Sequence, residues 1–260
     1  MRMSAFCPAG SSVVVTGAGR GIGAATAIRL AKEGIRVVLC DVDSAGLEST
    51  CLKIETQGGV CTSVVANVTS LEDCHAVESA AMASDWPLKG LVNNAAVGAF
   101  HMDVESTSLD DWHRIIETNL TSVFLMSKVF VPHIRQAGGG AVVNVSSIHA
   151  FSTSPGVAPY AAAKGGVLAL TRTMALDLAN DNIRVVALIP GAVDTPMLQF
   201  HAEREGRTLE ELGFPTSTNA IGRIAGAEEI AGTISFLLSQ DATFVTGSAL
   251  VADGGILAKF

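Results

Sequence analysis

The sequence predicts an α/β fold with one doubly wound, mostly parallel central sheet of about seven strands. Three observations lead there. Short apolar runs rich in β-branched residues alternate with helical stretches almost from the N-terminus. The runs are continuously apolar, as strands covered by helices on both faces must be. The first of them ends in a cluster of glycines that opens a helix.

The elements follow in order. Residues 12–16 (SVVVT) form the first strand, and the glycine cluster leads into a helix over 22–33. Residues 36–40 (RVVLC) are the second strand, followed by a helix that runs to Gln57 and stops at Gly58-Gly59. The third strand is read at 64–66, a helix contains 72–82, and the fourth strand is read at 90–92. One long helix over 109–136 ends at Gly138-Gly139-Gly140, after which 141–146 is the fifth strand. Helix 160–179, strand 183–189, helix 228–239 and strand 248–252 complete the alternation. The stretch from 195 to 226 has no clear period and reads as a substrate lid inside one domain spanning 1–260.

Composition narrows the function classes. The chain has 260 residues, 48% hydrophobic and 16% charged, a balance that favours a packed globule over disorder. A net charge of −8 offers no basic face for phosphates, so nucleic acid is not expected as a partner. No apolar run is long enough to span a bilayer, and residues 1–12 lack a signal-peptide core, so no membrane association is expected. The five cysteines are odd in number with no CxxC, and read as reduced thiols in a cytoplasmic protein. The six histidines lack metal-ligand spacing, so no metal is expected.

The glycine cluster is Thr16-Gly17-Ala18-Gly19-Arg20-Gly21-Ile22-Gly23. Placed after the first strand and at a helix start, it lets a pyrophosphate approach the backbone and face free N–H groups and a positive dipole. The spacing is TGxxxGxG, a variant of the Rossmann fingerprint. Asp41 closes the second strand eighteen residues after Gly23, where a carboxylate can accept from ribose hydroxyls and repel a 2′-phosphate. Two unit charges about 4 Å apart interact by about 4 kcal/mol at an effective dielectric of about 20, enough for Asp41 to favour NAD over NADP. Arg20 could pair with a 2′-phosphate, but reads better as a solvated loop residue.

A second constellation carries the chemistry. Ser147 closes the fifth strand, Tyr160 follows thirteen residues later, and Lys164 comes four after that in YAAAK. Tyr160 and Lys164 share one helix face. An ammonium beside the phenol should lower its pKa from about 10 and ready it for acid/base work. A strand-end serine opposite can hold a substrate oxygen.

Together these motifs resemble the short-chain dehydrogenase/reductase family over essentially the whole chain. The matching pieces are TGAGRGIG (16–23), Asp41, Asn67-Val68, NNAA (93–96), ETNLTSVF (117–124), VNVSS (143–147), YAAAK (160–164), PGAVDT (190–195) and VTGSALVADGG (245–255). The resemblance implies catalytic roles for Asn119, Ser147, Tyr160 and Lys164, with Asn119 at a local helix disturbance that supports a water relay. It implies that Gly17, Arg20, Gly21, Ile22, Gly23 and Asp41 bind the dinucleotide and that Asn67 and Val68 contact adenine. Asn94 and Ala95 would lie along the cofactor, Lys164 would hold the nicotinamide ribose, and Pro190, Gly191, Val193 and Thr195 would sit beside the carboxamide. It further implies a homotetramer packed through 109–136, 160–179 and the C-terminal strand. The chain departs from the family pattern at Ala96, where glycine is usual, at Val186, where asparagine is usual, and at Asn67, which replaces an aspartate.

The expected reaction is hydride transfer between NAD(H) and a secondary alcohol or its ketone. His149, Phe151 and Val157, with Met197, Leu198, Phe200 and Phe214 from the lid, are candidate pocket residues and favour a cyclic or partly apolar alcohol or diol. The alternative within the family is an NADP-dependent reductase of 3-oxoacyl thioesters or sugars. From another class, a non-catalytic dinucleotide sensor would keep the glycine turn but has no use for Ser147, Tyr160 and Lys164 together.

Overall fold

The structure is a computed structural model that describes residues 6–204, 206–209 and 219–258. Seven strands form one sheet in the order β3-β2-β1-β4-β5-β6-β7, and every pairing is parallel. They are β1 (Ser12–Thr16), β2 (Arg36–Asp41), β3 (Cys61–Val65), β4 (Leu88–Asn93), β5 (Gly140–Val145), β6 (Ile183–Pro190) and β7 (Ala249–Ala252). The helices are α1 (Gly21–Lys32), α2 (Ser44–Glu55), α3 (Leu71–Met82), α4 (Leu109–Ile116), α5 (Ser122–Gln136), α6 (Ala158–Leu178), α7 (Pro196–Arg204) and α8 (Ala227–Leu238).

Alternation along the strands builds two cores. Val13 and Val15 of β1 pack on one face with Leu30 of α1, Leu47 and Ile54 of α2, and Ile230 and Ile234 of α8. Val14 points the other way, to Val77 of α3, Phe130 and Ile134 of α5, and Ala175 and Leu178 of α6. All these side chains are buried, which is why the inner strand β1 carries no polar face. The chain steps outward from β1 to β3 and then returns to place β4 on β1's other side. The crevice at the carboxyl ends of β1 and β4 is therefore the topological switch point, the usual ligand position in such sheets.

Several boundaries differ from the sequence reading for identifiable reasons. β3 starts at Cys61, because Thr62 and Ser63 on this half-exposed edge strand hide its beginning. β4 starts at Leu88 and includes Lys89, whose buried ammonium donates to the carbonyls of Ala137 and Gly139. The helix read over 109–136 is interrupted at Glu117–Thr121 by a π-helical turn. The stretch read as irregular contains α7, whose only buried residue is Ala202, so it has no apolar period to read. Phe214 lies outside the described residues.

Candidate active site

The glycine turn is held by packing in which side chains do not fit. A Cβ on Gly23 would stand 2.0 Å from the Gly17 carbonyl oxygen, and one on Gly17, at φ +65°, 2.8 Å from the Asn94 amide nitrogen. Asn94 donates through Nδ2 to the carbonyls of Thr16 (3.0 Å) and Gly17 (3.2 Å). Thr16 Oγ1 accepts from the N–H groups of Asn94 and Ala95, both at 3.0 Å. Thr16 thus locks β4's end to the turn, a role its place in the motif does not reveal.

Asp41 ends β2 with both carboxylate oxygens engaged: Oδ2 accepts from Gly19 N at 2.9 Å and Oδ1 from Asp43 N at 3.0 Å. These bonds fix the carboxylate at the mouth of the cleft, while Arg20 is exposed beside it. Asn67 Oδ1 accepts from Thr69, and the Asn67 N–H donates to Asp73 Oδ2 at 2.7 Å. Val186 is buried in the apolar core, so no polar contact replaces the usual asparagine there.

At the far end, Ser147 lies two residues past β5 and caps the short 3-10 turn Ile148–Ala150, its Oγ accepting from His149 N at 3.3 Å. Tyr160 sits in the first turn of α6, hydrogen-bonded to Ser147. One turn on, Lys164 is buried and donates through Nζ to Val145 O at 2.9 Å, with Nζ 5.7 Å from the Tyr160 ring centroid. Burial lowers the Lys164 pKa to about 8 and raises that of Tyr160, with the Ser147 hydrogen bond partly offsetting the second. The sequence expectation that the ammonium lowers the phenol is therefore not met in this state: Lys164 faces a carbonyl, and desolvation is the larger effect.

Asn119 is fully buried in the π-helical turn. Its Oδ1 accepts from Val97 N and its Nδ2 donates to Val97 O, both at 2.8 Å, so the helix disturbance anchors the loop after β4. That loop crosses the cleft to meet the one after β5: Met102 N donates to Gly156 O, and Ala158 N to Met102 O. Past β6, a Cβ on Gly191 would meet the Asp253 backbone at 2.8 Å, and Thr195 Oγ1 accepts from Leu198 N to start α7.

One cleft of about 440 Å³ joins these parts. Gly17, Arg20, Gly21, Ile22, Asp41, Asn67, Val68, Asn94 and Ala95 line one end. Ser147, Tyr160, Lys164, Pro190, Gly191 and Val193 line the other, and Thr195 joins the two, its Cγ2 3.3 Å from where a Cβ on Gly21 would stand. Its size suits an organic ligand. The cradle that excludes Cβ atoms, followed by a fixed carboxylate, fits a dinucleotide's pyrophosphate and ribose.

Of the pocket candidates, His149, Val157, Met197 and Leu198 line the cleft. Phe151 and Phe200 do not; they are 58% and 51% exposed. Phe151 follows the turn outward, and Phe200 lies on the outer side of Phe100, ring centroids 6.4 Å apart. Among the lining residues not read from the sequence are Phe100 and His201, whose ring centroids lie 4.4 Å apart. They lie 101 positions apart, one in the loop after β4 and the other on α7, and no local pattern announces them. His149 meets the Tyr160 ring edge-on at 5.8 Å, and its Nδ1 lies 3.1 Å from Thr153 Oγ1. Burial first, and then the charge of His201, hold its pKa below the ordinary imidazole value.

A dinucleotide cradle at a switch point, leading to a buried serine and lysine with a half-buried tyrosine between them, defines a dinucleotide-dependent oxidoreductase. Comparison with known proteins narrows the class. A family model described as enoyl-(acyl carrier protein) reductase matches residues 17–257. The chain is 37% identical over 246 residues to the cyclohexanol dehydrogenase of Acinetobacter sp. (strain SE19), covering 95% of this chain and 94% of that one. It is 38% identical over 249 residues to the cyclopentanol dehydrogenase of Comamonas sp. (strain NCIMB 9872), covering 95% and 97%. The crystal structure of levodione reductase superposes with a TM-score of 0.91 at 32% identity, covering 97% of this chain and all of that one. The chain belongs to the short-chain dehydrogenase/reductase family and is an oxidoreductase of that family.

Proposed function

We propose that this enzyme transfers a hydride between NAD(H) and a cyclic or partly apolar secondary alcohol and its ketone. The observation that carries the reading is Tyr160 held between Ser147 and Lys164 in the same cleft that the glycine cradle lines. A bound nicotinamide dinucleotide supplies the hydride acceptor in oxidation and the donor in reduction. Ser147 holds the substrate oxygen, and Tyr160 removes the hydroxyl proton in oxidation or returns it in reduction. Lys164 anchors the nicotinamide ribose and, once turned toward it, favours the phenolate. Asn119 holds the backbone around a water path, and the residues from Pro190 to Thr195 orient the carboxamide.

NAD over NADP is supported by the Asp41 carboxylate at the end of β2, fixed by two backbone N–H groups, which would accept from a ribose hydroxyl and repel a 2′-phosphate. A cyclic substrate is supported by the apolar wall of Val97, Ala99, Phe100, Ile148, Val157 and Met197, and by relatives that act on cyclohexanol and cyclopentanol. The segment from 195 to 226 forms the lid of this pocket, and the chain works as one domain. A homotetramer is supported by the apolar side chains exposed on α4, α5 and α6 (Trp112, Phe124, Leu176) and near β7 (Phe244, Val251). Free thiols fit a cytoplasmic setting.

The direct test is turnover of a panel of cyclic alcohols, linear alcohols and 3-oxoacyl thioesters with NAD(H) and NADP(H). The highest kcat/KM is expected for a cyclic alcohol with NAD. A thioester reduced faster with NADPH contradicts the reading in both substrate and cofactor. Tight NADH binding with no turnover of any compound identifies a sensor instead.

A further inference from the structure

The five cysteines divide into two kinds. Cys7, Cys40 and Cys74 are buried, and each thiol donates to a backbone carbonyl, of Lys89, Ala66 and Val68 respectively. Cys51 and Cys61 are partly exposed, and their sulfurs lie 2.6 Å apart. That separation is far too short for indifferent packing, and it is within about 0.6 Å of an S–S bond of ~2.05 Å. The approach is built by the backbone. α2 ends at Glu55, the chain turns through Gly58, at φ +76°, and Gly59 N donates back to Ile54 O at 3.0 Å. A Cβ on Gly59 would stand 2.8 Å from Ile54 Cγ2, so this reversal is tight and returns Cys61 beneath Cys51.

We propose that Cys51 and Cys61 are a redox-active dithiol that closes reversibly to a disulfide, tying α2 to the edge strand β3. The step balances with hydrogen peroxide as oxidant. The Cys51 thiolate attacks the O–O bond, an S–O bond forms, and the departing hydroxide takes a proton to become water. The Cys61 sulfur then attacks the resulting sulfenic acid. The S–S bond forms as the S–O bond breaks, and the Cys61 proton leaves with the hydroxide as a second water. Two thiols are oxidised and one peroxide is reduced to two waters; a dithiol reverses the change by exchange. Burial and the hydrogen bond with Cys51 push the Cys61 thiol up to about 12. Little movement is needed, so the tie stiffens the adenosine side without closing the cleft. Thr50, next to Cys51, donates to Gly19 O at 3.4 Å, which links α2 to the glycine turn.

Glu55 lies with the two sulfurs, their ligand atoms all within 4.8 Å of one another, so a zinc site is the competing use of the same residues. The test treats the full chain with hydrogen peroxide, alkylates remaining thiols and maps it by mass without reduction. A Cys51–Cys61 link lighter by two hydrogens is expected. Dithiothreitol should reverse it, Cys51→Ser and Cys61→Ser should each abolish it, and the linked protein should melt higher by about 5 °C. Alkylation of both residues after peroxide, or their oxidation to sulfinic acids without a link, overturns the proposal. So does uptake of one zinc ion per chain by untreated protein, lost in Glu55→Gln.

Discussion

The two ends of the cleft are built differently. At the dinucleotide end, consecutive residues of one turn meet the end of the neighbouring strand through bonds between the Thr16 and Asn94 side chains and the backbone, and several positions leave no room for a side chain. At the substrate end, the wall comes from side chains of three separated stretches: 97–100, 148–157 and 197–201. The first construction tolerates almost no change, whereas the second can be re-cut residue by residue. Relatives can thus share one cofactor chemistry and differ in the alcohol they accept.

The comparison is most easily broken at Gly23. With a Cβ 2.0 Å from a backbone oxygen, Gly23→Val should abolish dinucleotide binding by fluorescence titration and lower the melting temperature. Retained NADH affinity would show that the turn has slack. Asp41→Ala should leave kcat for the alcohol within about threefold while shifting the NAD/NADP preference in kcat/KM by about tenfold or more toward NADP, about 1.4 kcal/mol. An unchanged preference would remove Asp41 from its role. Phe100→Ala, on the substrate side, should raise the alcohol KM by about three- to tenfold and leave the dinucleotide Kd unchanged. Equal effects on both would mean the two ends are not separable.

How legible each end was follows from the same difference. TGAGRGIG and YAAAK compress their geometry into a few residues, so the turn, Asp41 and the Tyr160–Lys164 face were readable in order along the chain. Thr16 was in plain view, but its oxygen acts on Asn94 and Ala95, 78 and 79 residues away. Phe100 and His201 have no local signal, and Phe151 and Phe200, apolar and near the right motifs, point elsewhere. In the sheet, continuous apolar strands were clear. β3 at the edge and β4 with its buried lysine were shortened because their polar residues mask the strand pattern.

The smallest effect concerns the whole fold. Burial raises the thiols of Cys7 and Cys40 to about 12 and Cys74 to about 11, from 9.0. The folded state therefore keeps protons that the unfolded chain loses above pH 9, and stability present below pH 9 should fall as pH rises toward 11. Lys164, lowered to about 8, acts oppositely between pH 8 and 10.5, because there the unfolded chain holds the extra proton. The three buried thiols outnumber it, so the denaturation midpoint should decline above pH 9. The decline should be gentler in Cys40→Ala.

The central claim is that Tyr160 carries the substrate proton while the dinucleotide end works independently of it. Tyr160→Phe removes one oxygen atom and keeps the ring that His149 meets edge-on. With NAD and the preferred alcohol, kcat should fall by about 10²–10⁴-fold while the NADH Kd stays within about twofold. A variant that keeps kcat within about threefold of the parent enzyme would contradict the account.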